Sequence, residues 1–419
     1  MSFRLHPPGS RGELPGLSVG AALLLAVSLW GPAAAPPRMA LASTAPVPAQ
    51  AQAKPGPEHE PTFQLPARPY APQPDSARVA FQLGLAEERA GQLRAALRAY
   101  RFAVASDSSY PEASFRLGRL YSAMDRPLDA AAAFANEIRH HGGHVDARRE
   151  LGLVLCRMGK TGEGLPFLEQ LTQRFPDDDA NWQALGFGYS LAGRLKDAET
   201  ALRRAIANPP ERASEHRDLG VVLVSLGRIE DARNEYRAAI ALDDRDPSAW
   251  VNLGNLELRA KRPEQALEAY RAAEARDSSG AGALEGQFAA LQALDRPLDA
   301  AHACTRWLHR RPDDDHARLE AARAWRAAGR PDLAYQVAAD GVRRAPRSGD
   351  ARVVLSIVLG ADGKARESLT QLRAAERLYT DPLNRGKAKE MILATRAAAP
   401  ESIRTLATQD SLAELERGR

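Results

Sequence analysis

The sequence predicts an all-α protein, a stack of short helix pairs running along most of its 419 residues. Three observations predict it. A small residue returns every 34 positions without insertion, at Ala96, Ala130, Gly164, Ala198, Ala232, Ala266, Ala300, Ala334 and Ser368. A glycine keeps the same period at Gly84, Gly118, Gly152, Gly186, Gly220 and Gly254, then gives way to Phe288, Ala322 and Ser356. The hexapeptide DRPLDA at 125–130 reappears at 295–300, five periods later, as if one unit had been copied.

Each period reads as two amphipathic helices. In the fourth unit Trp182, Leu185, Gly186 and Tyr189 share one helical face, a spacing that no strand gives. Small residues at positions 8 and 20 of the unit let two backbones approach, where a large side chain would push them apart. A large residue at position 24 (Tyr100, Phe134, Leu168, Leu202, Tyr236, Tyr270) is expected to fill the gap to the next unit. Gly91, Gly159, Gly193, Gly227 and Gly329 mark the turns within units. Pro127, Pro263, Pro297 and Pro331 stand at second-helix starts, where a first turn accepts proline. Pro176, Pro210, Pro312 and Pro346 end units. One such pair cannot bury its apolar face alone, whereas stacked pairs share a continuous core. Nine units begin at 77 and end at 382. Residues 383–419 supply a capping helix, 383–396, and a tail with a short helix at 411–417. The seventh unit departs most: Phe288 replaces the packing glycine, Trp307 a small residue, and Gly280, Gly282 and Gly286 weaken its first helix. Two readings of this unit stand open: compensated packing, or a local bend separating units one to six from eight and nine.

The other end is different in kind. Arg4 and Arg11 precede an apolar run at 17–30, too short for an ordinary membrane span and suited to a secretory signal. Small-x-small sites follow at Ala40-Leu41-Ala42 and Ala51-Gln52-Ala53. Residues 1–42 are therefore assigned to a signal peptide or an uncleaved N-terminal anchor. Residues 43–76 are assigned to a Pro/Ala-rich disordered linker, since 36–75 hold 11 prolines and no apolar period. The expected location is exported, periplasmic or envelope-associated, with membrane contact only if the apolar segment is retained.

No catalytic constellation stands out. The run His140, His141, Gly142, Gly143, His144 reads as an inter-unit turn, and a metal site needs further donors. The runs at 177–179 and 313–315 lack the ligand pattern of a calcium loop and sit where aspartate caps a helix. Cys156 and Cys304 lie four units apart, too far for a disulfide. Phosphate-binding, dinucleotide and hydrolase signatures are absent from the sequence. Neither a cofactor nor a metal is expected, and the chain is read as no enzyme. A net charge of +4, with arginines interspersed among acids, suits a solvated helical surface more than a nucleic-acid binder.

The pattern at 248–277, with Trp250, Leu253, Gly254, Ala266, Tyr270 and Ala273 at fixed offsets, resembles the tetratricopeptide repeat. The resemblance extends to all nine units, about three quarters of the chain. It implies an α-solenoid, a right-handed superhelix whose first helices line a concave groove for a partner's peptide or helix. Carried over by position, that groove comprises Phe81, Arg89, Phe115, Arg119, Arg149, Leu153, Arg157, Gln183, Phe187, Arg217, Asn255 and Arg259. Arginines alternating with Phe and Leu would suit an acidic, apolar segment. The family's carboxylate clamp is matched only at Asn252, which argues against binding of chaperone tails. The expected function is a non-catalytic scaffold or adaptor with a protein partner, in a bacterial-type envelope complex. A regulatory or substrate-presenting subunit of an envelope enzyme system (polysaccharide or cytochrome maturation) is the first alternative. A nucleic-acid binder is the second.

Overall fold

The computed structural model describes residues 74–207, 211–277 and 280–399. The signal or anchor assigned to 1–42, nearly all of the linker, Pro210 and the short helix at 411–417 lie outside the described residues. Nineteen helices and no strand occur among the described residues. The first four repeats are α1 (Pro74–Arg89) with α2 (Leu93–Ser106), α3 (Ala113–Ala123) with α4 (Pro127–His140), α5 (Val145–Arg157) with α6 (Thr161–Arg174), and α7 (Asp179–Leu191) with α8 (Leu195–Ile206). Next come α9 (Ala213–Ser225) with α10 (Ile229–Leu242), then α11 (Pro247–Arg259) and α12 (Pro263–Arg276). The last three repeats are α13 (Ala281–Ala293) with α14 (Pro297–Arg310), α15 (Asp315–Ala327) with α16 (Pro331–Arg344), and α17 (Gly349–Ala361) with α18 (Ala365–Leu378). A last helix, α19 (Pro382–Ala398), follows.

The helices form two compact units, divided after Ala260 between α11 and α12. Within each unit, helices adjacent in sequence pack on one another, and first helices also touch the first helices of the next repeat, as in an α-solenoid. In the later unit α19 turns Ala388, Met391 and Ile392 onto Val353, Ile357, Leu369 and Leu372.

Size complementarity within a repeat holds each pair together. A Cβ built on Gly84 would stand 2.5 Å from the Tyr100 ring, and one on Gly220 2.4 Å from Tyr236. Gly118, Gly152 and Gly186 receive Phe134, Leu168 and Leu202 in the same way. Position 24 thus lies first on the glycine of its own repeat, rather than only filling the gap to the next. Each fully buried aromatic there contributes about 1.5–3 kcal/mol of apolar transfer.

Every repeat turns through a left-handed residue at position 15. Six of these are glycines, among them Gly227 at φ 78°. The others are Asp125, Lys261 and Asp295, at φ 55°, 58° and 53°. Each of those three is followed by Arg-Pro, and the proline opens the second helix. The Asp runs cap helices: Asp178 accepts from the Ala180 and Asn181 backbone N–H groups, and Asp314 from that of Ala317. Cys156 and Cys304 are free thiols in the core.

The seventh repeat resolves its own departures. Its first helix, α13, is as long as its counterparts despite the glycines. Gly286 is needed there, because a Cβ would stand 2.2 Å from the Tyr270 ring. Phe288 stands at position 8 and Cys304 at position 24, the reverse of the small-then-large order of the earlier repeats. Both are buried, at 6% and 0% exposure. In the eighth repeat the large residue stands at position 4 and the small one at position 27. Arg318 is 2% exposed, and a Cβ on Gly341 would stand 2.4 Å from its Nε.

Candidate partner-binding surface

Five of the sequence-assigned groove residues occupy position 5 of a first helix, and the structure gives each a partner at the last position of its own repeat or in the following one. The Phe81 ring lies 5.3 Å from that of Tyr110, and the Phe115 ring 4.7 Å from that of His144. Arg149 donates to Asn181 Oδ1 at 2.8 Å and stands 3.5 Å from Asp178, the N-cap of α7. Arg217 pairs with Asp246, the N-cap of α11. The pairs Phe81–Tyr110, Phe115–His144, Arg149–Asp178 and Arg217–Asp246 are all 29 residues apart. Gln183 instead donates from Nε2 to Asp218 Oδ2 at 2.7 Å. Phe81, Gln183 and Arg217 are buried as a result. Position 5 thus packs at the junction between consecutive repeats.

Positions 9 and 13 remain open. Arg89, Arg119, Arg157 and Arg259 are exposed and have no ion pair among the described residues. Leu153, Phe187 and Asn255 are half-buried on the same series of first helices. Glu150 lies among the arginines, where burial raises its carboxyl while Arg157, Arg149 and Arg119 pull it down. The resulting surface in the earlier unit is cationic, with apolar steps between the charges. In the later unit Arg323 is held by Glu320 at 2.6 Å, and Arg326 donates to the Ala361 carbonyl at 2.8 Å.

Two buried acidic groups, neither singled out from the sequence, stand behind this surface. Burial raises the Asp218 carboxyl to about 6, opposed by the Arg217 guanidinium and the Gln183 amide. Glu215 is fully buried beside Asp179, and burial raises it to about 7, opposed by the Arg212 backbone N–H. Arg212 reaches Asp179 at 2.9 Å. Glu215 stands at position 3, where Ala113, Ala147 and Ala249 occupy other repeats, and this substitution was the available sequence signal.

The histidine cluster has structural work. His144 Nδ1 accepts from the Ala147 N–H at the start of α5, and His141 Nδ1 lies 3.0 Å from Glu137. Glu137 is 2% exposed and accepts from the backbone N–H groups of Glu112 and Phe115. No group of three or more ligating side chains that could hold a metal occurs among the described residues.

A family model for the tetratricopeptide repeat matches residues 81–123, 115–179, 189–232 and 217–281. The matched stretches coincide with helix pairs whose position-8 glycines receive position-24 side chains. The chain is a tetratricopeptide-repeat protein. Curated protein sequences provide no match to it. Solved structures similar to it include the following three. A tetratricopeptide-repeat protein of Thermus thermophilus is 23% identical, with a TM-score of 0.39 over 43% of this chain and 97% of its own. PilW, a type IV pilus biogenesis factor, is 16% identical, with a TM-score of 0.44 over 51% of this chain and 99% of its own. PilF of Pseudomonas aeruginosa is 21% identical, with a TM-score of 0.38 over 52% of this chain and 98% of its own.

Proposed function

We propose that this tetratricopeptide-repeat protein is a non-catalytic adaptor that holds an acidic, apolar peptide or helix of a protein partner along the first helices of its earlier unit. The observation that carries the reading is the division of labour between positions. Position 5 packs at the repeat junctions, while Arg119 and Arg157 stay exposed and in no salt bridge, with Glu150 the acid among them and half-buried Leu153 and Phe187 on the same series of helices. Guanidinium forks pair with carboxylates, and the adjoining Leu and Phe offer area to bury. Packing at the junctions holds these side chains on a fixed scaffold, which lowers the ordering cost of binding. Export to the envelope belongs to the same proposal and rests on the basic residues and apolar run at 4–30. Among the described residues, no helix is long and apolar enough to cross a membrane.

The test is a crosslinked capture from native cells, comparing the full chain with Arg119→Glu/Arg157→Glu. The control variant, Arg98→Glu/Arg237→Glu, changes exposed charges on second helices. A partner retained by the control and lost by the groove variant, with capture weakening as salt rises, supports the reading. A partner retained equally by all three chains overturns it.

A further inference from the structure

The first repeat has no repeat before it, and its outer face is apolar. Val79, Leu83, Ala86 and Ala90 form one stripe along α1, at positions 3, 7, 10 and 14. In the second repeat the same face is covered: Ala113 is 0%, Leu117 0% and Leu120 4% exposed. On α1, Val79 is 64% and Leu83 52% exposed, and Ala86 and Ala90 are exposed as well. Phe102 on α2 extends the patch and is 58% exposed. Its counterpart one repeat later, Asn136, donates to the Ser108 carbonyl of the first repeat at 2.9 Å, so this position also faces the preceding repeat. A terminal repeat with a polar outer face would have kept the stack soluble, and this face is not polar.

We propose that this face is a self-association surface, on which a second copy of the chain lays its own α1 antiparallel across a two-fold axis. Three features favour that occupant. Elsewhere this face is covered by helices of another repeat, so a helix is the cover it fits. The stripe is self-complementary in size. Its large residues, Val79 and Leu83, lie toward the start of α1 and its small ones, Ala86 and Ala90, toward the end. An antiparallel partner therefore sets large over small at every step, with closure into an isologous pair. The charges agree. Asp75, at the start of α1, has a 97% exposed side chain, and the same geometry brings it toward the exposed Arg89 of the second copy.

A face two helices wide and about 24 Å long buries on the order of 1,000 Å² in total, the lower end of specific interfaces. The expected dimer is correspondingly weak and dissociates on dilution. The apolar stripe, at positions 3, 7, 10 and 14, shares no residue with positions 9 and 13, and Arg89 is the one groove residue that borders it, so the proposal does not rest on the adaptor reading.

Sedimentation of the full chain across a concentration series tests it. A monomer–dimer equilibrium is expected, with Leu83→Lys raising the Kd at least about tenfold and leaving the circular dichroism unchanged. Ala86→Cys is expected to give a disulfide-linked dimer under mild oxidation, since Cys156 and Cys304 are buried at 2% and 0% exposure and do not compete. A monomer at every concentration overturns the proposal, including one whose face is covered by its own preceding segment. So does a dimer indifferent to Leu83→Lys. Open-ended oligomers, the mark of head-to-tail stacking, overturn it too.

Discussion

Exchanging the large and small partners of the seventh repeat back to the common arrangement should restore much of what each single change destroys. The pair is Phe288 on α13 and Cys304 on α14, spaced 16 residues apart like Gly84 and Tyr100. Phe288→Gly removes a buried ring, for about 3–5 kcal/mol, and adds about 1 kcal/mol for glycine inside a helix. Cys304→Tyr places a ring in a site that is 0% exposed while Phe288 still fills the interface. That overpacking costs about 1–3 kcal/mol. Independent effects would sum to roughly 5–9 kcal/mol. The double variant instead recreates a glycine under a tyrosine, and a net loss of about 1–2 kcal/mol is expected. Hydrogen exchange of the α13 and α14 amides is the appropriate assay, because repeat arrays open locally and a single melting midpoint averages over them. Urea denaturation of the four chains provides the second measurement. A double variant as unstable as the sum of the singles would show that Phe288 and Cys304 do not oppose one another, and the exchange argument would fail.

Three further outcomes follow from the seams and turns. Burial raises Glu215 from 4.5 to about 7 and Asp218 from 3.8 to about 6 in the folded chain. Their contribution is therefore complete below the unfolded values and is lost as pH climbs through the folded ones. Glu215→Gln should flatten the fall in α9 protection between pH 5 and 8, seen by hydrogen exchange, and an unchanged pH profile would refute the assignment. Arg149→Glu removes the stitch to Asn181 and Asp178 and sets a carboxylate beside Asp146 and Asp178. It should destabilise the earlier unit by about 1–3 kcal/mol, whereas Arg157→Glu should change stability by less than about 0.5 kcal/mol; equal melting shifts would contradict the division between stitch and groove. Lys261→Gly relieves a side chain at φ 58° and should stabilise by about 0.5–1 kcal/mol, read as a raised denaturation midpoint.

The period of 34 was enough to place the helix pairs, because the backbone approach tolerates only small residues at positions 8 and 20 and the chain repeats them without insertion. Compensation between helices was harder to see. Phe288 alone reads as a defect, although Cys304 holds the register that elsewhere carries the large partner, and Gly286 reads as a weak helix residue until Tyr270 is seen lying on it. Both signals were present as spacings of 16 residues, yet only the paired helices show which side chains share a site. Position 5 was misleading for a related reason. A first helix borders both the groove and the next repeat, and a residue on that border faces whichever neighbour can satisfy it. Arg149 and Arg217 find capping aspartates 29 residues on, while Phe81 and Phe115 find rings. An aspartate at a helix start needs only one or two backbone N–H groups, so a carboxylate oxygen remains for the guanidinium. Arginine at position 5 and aspartate at the next N-cap thus form one unit of the fold. The arginines of positions 9 and 13 have no such partner supplied by the repeat, and the fold puts no packing demand on them. That freedom makes Arg119 and Arg157, rather than Arg149 and Arg217, the residues through which a partner can be recognised without loosening the stack.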